Sequence, residues 1–287
     1  MATLYAWANP LSLWQGADHT WITNYPSPFQ CPPTPDYWYC WGICHPAGPG
    51  TTARPLGSAQ GDISFASCIC TPNDPNAHGG IDRYGIEGVC HQLANRVLYA
   101  TSPYGTPLTV KGAHKYWLSH LLFGTYGTTL KDWAARKKKC QPGTIAAMGN
   151  GDTEDPDSLL FEQMVRSSRG PAAAGEDPMA AIEALRAELL AEKAPLDAAV
   201  QAGTISGDEF ANRVNELVSS YLPRIAEILG PNNCARIFEA SPGETVQVLD
   251  PEIASRTDYT GGTTSTPSGS TPSGSTPPVT PPGRAAT

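Results

Sequence analysis

Hydrophobic and polar positions change their period along the chain. Up to residue 65, apolar residues come in short aromatic and β-branched runs: Tyr5-Ala6-Trp7, Thr20-Trp21-Ile22-Thr23, Tyr37 to Ile43, and Ile63-Ser64-Phe65. Such runs predict short strands. Pro26, Pro28, Pro32, Pro33 and Pro35, and then Pro46 to Pro55, punctuate them as turns. From Gly88 the spacing becomes helical. Leu93, Ala94, Val97 and Leu98 form one stripe, stopped by Pro103 and Gly105. Ala113 to Phe123 predicts a second helix, Thr129 to Lys139 a third, and Ser158 to Arg166 a short one. Residues 178–229 read as helical throughout. One stripe runs through Ile182, Leu185, Leu189 and Leu196, with a bend expected at Pro195 and Gly203 as the residue after the C-cap. A second begins at an N-cap, Ser206 or Asp208, and runs through Phe210, Val214, Leu217, Leu222, Ile225 and Ile228. A kink is expected at Pro223, and Gly230-Pro231 ends the run.

These patterns divide the chain. Residues 1–140 hold the strands and first helices, 141–177 a linker with one short helix, and 178–259 a helical hairpin region. Residues 260–287 repeat STPSG and predict a disordered Pro/Ser/Thr/Gly tail, because they cannot bury enough apolar surface to offset ordering entropy. The expected fold is α+β: a small antiparallel sheet packed with one functional helix, then an α-helical hairpin and the tail. Charge follows the same division. Residues 1–140 carry 10 Lys+Arg against 7 Asp+Glu, and residues 141–287 carry 9 against 20. All seven Trp and all six His lie in the first part. The overall charge of −8 argues against nucleic acid as a partner. No apolar run reaches the roughly 18–20 residues that span a bilayer. The opening residues show no basic n-region and no apolar h-region, so a cytoplasmic location is expected.

The stretch Tyr84 to Tyr99, YGIEGVCHQLANRVLY, carries the chemistry. Gly85 and Gly88 end an irregular segment, and Cys90 falls in the first helical turn. A helix N-terminus presents unpaired N–H groups and a positive dipole end, which favour a thiolate and can hold an oxyanion. Cys is also a common small core residue. A thiol nucleophile needs a base, and His19 opens the strand-like run DHTWIT. Gln92 is a candidate oxyanion donor, Asn95 a candidate partner for the ring of His91, and Arg96 a loop contact. His91 itself should point about 100° away from Cys90. His114 and His120 offer the reverse chain order, cysteine before histidine, but neither opens a strand.

The pairing of DHTWIT with GVCHQLANRVL resembles the circularly permuted papain-like hydrolases, including the lecithin retinol acyltransferase and permuted NlpC-type families. The resemblance covers roughly residues 1–125. It implies His19 as base, Cys90 as nucleophile, and hydrolysis or transfer at a peptide, amide or acyl-ester carbonyl through a thioester. Those families often place a third polar residue on a strand near the histidine, and Asp36 and Asp62 both qualify without the sequence choosing between them; Asp62, in GDISF, matches a Gly-Asp-Ile strand opening of the permuted NlpC-type enzymes, but it follows the histidine instead of preceding it. Separately, helix–GTISGDEF–helix resembles the SHOCT-type helical hairpins. That implies docking or self-association, while a plain αα-hairpin packed on the main domain is the simpler account.

The remaining cysteines give an alternative. Cys40 and Cys44 with Cys68 and Cys70 supply four thiolates for a structural zinc, although Cys-x-Cys is an uncommon knuckle. On that alternative the protein is a non-catalytic, zinc-stabilised binding module with Cys90 in its core. Catalysis by the Cys/His pair needs no cofactor.

Overall fold

The computed structural model describes residues 2–10, 16–28, 37–38, 53–62, 65, 81, 83–102, 108–127, 155–168 and 177–260. Their architecture is α+β. Strands β1 (Ala2–Pro10), β2 (Asp18–Thr23), β3 (Tyr37–Trp38) and β4 (Arg54–Gly61) form one antiparallel sheet in the order β3-β2-β1-β4. β3 is a two-residue fragment at one edge, so three strands make up most of the sheet. β1 and β2 pair with Trp7 opposite Trp21 and Asn9 opposite His19. Every residue of β2 is buried. Its central place in the sheet explains why an aromatic, β-branched run forms it.

β4 was not expected. Its sequence, RPLGSAQG, alternates weakly and begins at the end of the stretch read as turn, Pro46 to Pro55. It is an edge strand, mostly exposed, and pairs with β1 across an irregularity between Ala6 and Trp7. Backbone pairing, not an apolar face, makes it a strand. Of the other expected strands, residues 39–43 and 63–64 lie outside the described residues.

Seven helices follow among the described residues: α1 (Cys90–Thr101), α2 (Tyr116–Phe123), α3 (Pro156–Arg166), α4 (Pro178–Gln201), α5 (Gly207–Leu229), α6 (Pro231–Phe238) and α7 (Pro251–Arg256). Asp155, Asp177 and Asp250 cap α3, α4 and α7, each accepting a hydrogen bond from the second helical amide, with Pro at the first position. An acceptor cap followed by a residue that has no N–H to lose is a strong start signal. Ser206 caps α5, as expected. Pro195 and Pro223 both lie inside continuous helices. Gly230 ends α5 and also begins α6, so the Gly-Pro stop is a corner between two helices. The expected helix Thr129 to Lys139 and the tail from 261 onward lie outside the described residues.

One hydrophobic core runs through both parts of the chain. Leu4 and Ile22 of the sheet, Val97 of α1 and Leu118 of α2 share it with Phe210 and Leu222 of α5. Trp7 and Trp21 form a small second cluster with Tyr5 and Ala53. No helix among the described residues is long and apolar enough to cross a membrane.

Candidate active site

The loop before α1 is built for a sharp entry. Gly85 has φ +77°, and a Cβ there would collide with Leu249 and Phe210. Gly85 N donates to Gly88 O at 2.8 Å, and Tyr84 and Gly88 form an isolated bridge. Val89 is extended, and Cys90 is the first helical residue. Gln92 Oε1 accepts from Val89 N at 3.0 Å, which fixes the helix start. The first intrahelical bond is Leu93 N to Val89 O, 3.1 Å. The amides of residues 90–92 therefore lie ahead of the helix ladder, at the positive end of its dipole.

His19, the second residue of β2, reaches this helix start. Its Nδ1 is 2.8 Å from Cys90 Sγ, across 71 residues of sequence. Both side chains are buried, His19 with 1% and Cys90 with 2% of their surface exposed. Burial draws the His19 imidazole toward its neutral form. The charge of Cys90, the hydrogen bond to it and the charge of Asp250 draw it the other way, and the net direction is upward. Trp21 lies two residues along the strand, its ring stacked 6.1 Å from that of His19.

The other expected residues are distributed as follows. Gln92 spends both ends of its amide on structure, with Nε2 donating to Gly124 O at 2.8 Å. His91 is buried, 2.7 Å from Ser119 Oγ, and held neutral. Burial lowers it to about 4 despite Asp18, with His19 and His114 adding to the fall. Asn95 bonds Tyr116 Oη, Thr125 O and Val110 N, not the ring of His91. Arg96 donates to Tyr126 O at 2.5 Å, the loop contact expected of it. His114 bonds Glu239, and His120 approaches Ser158 Oγ at 3.4 Å. Neither meets Cys90; among the described histidines, His19 is the one at the thiol. Asp62 sits at the other end of α1, where its amide bonds Thr101 O at 2.9 Å. Eleven residues of helix separate that end from Cys90, roughly 16 Å. Asp36, Cys40, Cys44, Cys68 and Cys70 lie outside the described residues. Among those described, no group of three or more His, Cys, Asp or Glu side chains gathers as a metal-binding set.

Two acidic groups near the pair come from elsewhere. Asp18 is buried, with Oδ2 accepting from Arg54 at 2.5 Å and from His114 N at 2.8 Å. It anchors the strand that carries His19. Asp250, the cap of α7, contributes its charge to His19 from the far end of the sequence. The Asp250-Pro251 pair marks a helix start, a signal that was available in the sequence, but nothing local connects it to residue 19.

Comparison with protein-family models, with curated proteins and with solved structures returned no match.

Proposed function

We propose that the protein is a cysteine-dependent hydrolase or acyltransferase acting on a peptide, amide or acyl-ester carbonyl. The observation that carries this is the 2.8 Å approach of His19 Nδ1 to Cys90 Sγ at the first residue of a helix. His19 takes the thiol proton and Sγ attacks the carbonyl carbon, forming a C–S bond as the carbonyl π pair moves to oxygen. First-turn amides of α1 face the resulting oxyanion. Its collapse breaks the bond to the leaving amine or alcohol, which receives the proton from the His19 imidazolium. Water or an acceptor nucleophile then gives a proton to His19, attacks the thioester, and releases the product and the Cys90 thiolate. The permuted papain-like families perform chemistry of this class, and the order His19 before Cys90 is consistent with theirs.

Cys234 is an internal control. It is also buried, and burial alone pushes its thiol up to about 11. Iodoacetamide alkylation of the native protein across pH, read by peptide mass spectrometry, should find Cys90 at least about tenfold faster than Cys234 below pH 7. His19→Ala should remove that advantage. A Cys90 no faster than Cys234, or protected until the protein unfolds, makes the thiol a core residue and ends this reading.

A further inference from the structure

The expected third member of the site lay in the first 140 residues, but the acidic group that bears on His19 comes from the acidic C-terminal part. Residues 246–250 run between the strand that carries His19 and the loop that leads into Cys90. Ala17 N donates to Gln247 O at 2.8 Å, two residues before His19, and Gly16 and Gln247 form a parallel bridge. On the other side Asp250 N donates to Tyr84 Oη at 2.9 Å, and Leu249 packs against the space at Gly85. Asn215 of α5 holds the segment, bonding Val248 N, Leu249 N and Leu249 O. Asp250 is thus placed by both halves of the dyad's scaffold.

From this placement we infer that Asp250 is the acidic positioning residue of the His19–Cys90 pair, a C-terminal group that holds the imidazole in its protonated, thiolate-paired state. The inference rests on the cysteine-enzyme reading. The other groups facing the pair account for the choice. Asp18, on β2 itself, is tied to Arg54 of β4 and to the amide of His114, so its charge is already matched. His91 of α1 is neutral, and His114 is turned to Glu239. Asp62 is at the wrong end of α1. Asp250 Oδ1 caps α7 through Glu252 N at 2.8 Å, which fixes the carboxylate's position.

That cap also supplies a clean variant. Asn caps helices as well as Asp does, so Asp250→Asn removes the charge and keeps the helix start. Asp250→Ser, another good cap, repeats the test with a different side chain, and Asp250→Glu restores the charge. Thiolate absorbance at 240 nm, taken against a Cys90→Ser blank from pH 5 to 10, reads the nucleophile. Histidine carbon-labelled NMR, with His19 assigned from His19→Ala, reads the imidazole. Asp250→Asn and Asp250→Ser should melt within a few degrees of the natural protein. They should lower the His19 titration and reduce the thiolate fraction at pH 7 by about twofold or more. Asp250→Glu should return both toward their original values. A cap without an electrostatic role would leave both curves in place. If the curves of both neutral variants overlay the natural protein while His19→Ala still abolishes the thiolate, Asp250 is excluded and the dyad stands. If His19→Ala also leaves the thiolate unchanged, the dyad itself fails and the role of Asp250 with it.

Discussion

Asn215 shows how much can depend on one buried amide. Its Oδ1 accepts from the Val248 and Leu249 amides, both at 2.9 Å, and its Nδ2 donates to Leu249 O at 2.8 Å. The residues it grips, Val248 and Leu249, are themselves buried, so no water is at hand to replace the lost bonds. Truncation to Ala would orphan two buried N–H groups and a carbonyl. The expected cost is roughly 3 kcal/mol or more, since each unmet buried group costs about 1–3 kcal/mol. Urea unfolding of Asn215→Ala measures it. Under native conditions the same variant should also slow Cys90 alkylation, because the segment beside His19 loses its anchor. A loss below about 1 kcal/mol would mean that Val246, Val248 and Leu249 hold the segment by packing alone.

At the scale of elements, α1 and α2 are unusual in burying polar side chains on nearly every face. His91 of α1 and His120 of α2 are both buried, and burial lowers each to about 4; the charge of Asp157 opposes the fall at His120 and that of Arg186 assists it. Unfolded, each titrates near 6.5. Between those values the unfolded chain binds more protons than the folded one, so stability falls as pH falls from 6.5 toward 4. The loss approaches about 3 kcal/mol per histidine at the acid end. His19 has the opposite sign: its raised folded value adds stability that is complete below 6.5 and is lost as pH rises. Urea midpoints measured in a His19→Ala background should therefore drop steadily from pH 7 to 5. His120→Gln should flatten that slope, and an unchanged slope would assign the acid loss to other groups. Elements like these were only partly legible in the sequence. The apolar stripe of α1, the Ser206 cap and the length of the helical region could be read because each is a local pattern. His19 and Cys90 could be singled out because a polar residue opening a strand and a thiol after Gly are local as well. β4 could not be read, since an exposed edge strand is made by its partner's backbone. Nor could the approach of residues 247–250 to the start of the His19 strand and to Tyr84, because it depends on how α5 and α7 fold back across the whole chain. Asp-Pro at 177–178 and 250–251 was readable, and weighing it would have placed the start of α7.

For the whole molecule, the charge asymmetry between the two parts of the chain acquires a structural meaning. Basic groups of the first part meet acidic groups of the second. Lys115, its side chain fully buried, bonds Glu244 at 2.9 Å, its amide bonds Glu239, and Lys111 lies 3.5 Å from Asp157. Further hydrogen bonds run around these pairs. Tyr116 Oη donates to Asp157 at 2.6 Å, Arg186 donates to Leu121 O at 2.5 Å, and Tyr259 Oη donates to Tyr84 O at 2.9 Å. Surface ion pairs alone would be weak. A buried lysine and a continuous apolar core make separation of the two parts costly, because each would expose the face it now shares. The parts should therefore unfold together. All seven Trp lie before residue 134, so Trp fluorescence reports the first part alone. The two longest helices, α4 and α5, lie in the second, so far-UV circular dichroism is weighted toward it. The two signals should trace one urea transition with a common midpoint and slope. A helical transition that survives well beyond the loss of the Trp signal would mean that the hairpin is a separate unit. With a common transition, the segment beside His19 cannot come away while the dyad stays folded, and any change that loosens α5 should appear both as lost stability and as a less reactive Cys90.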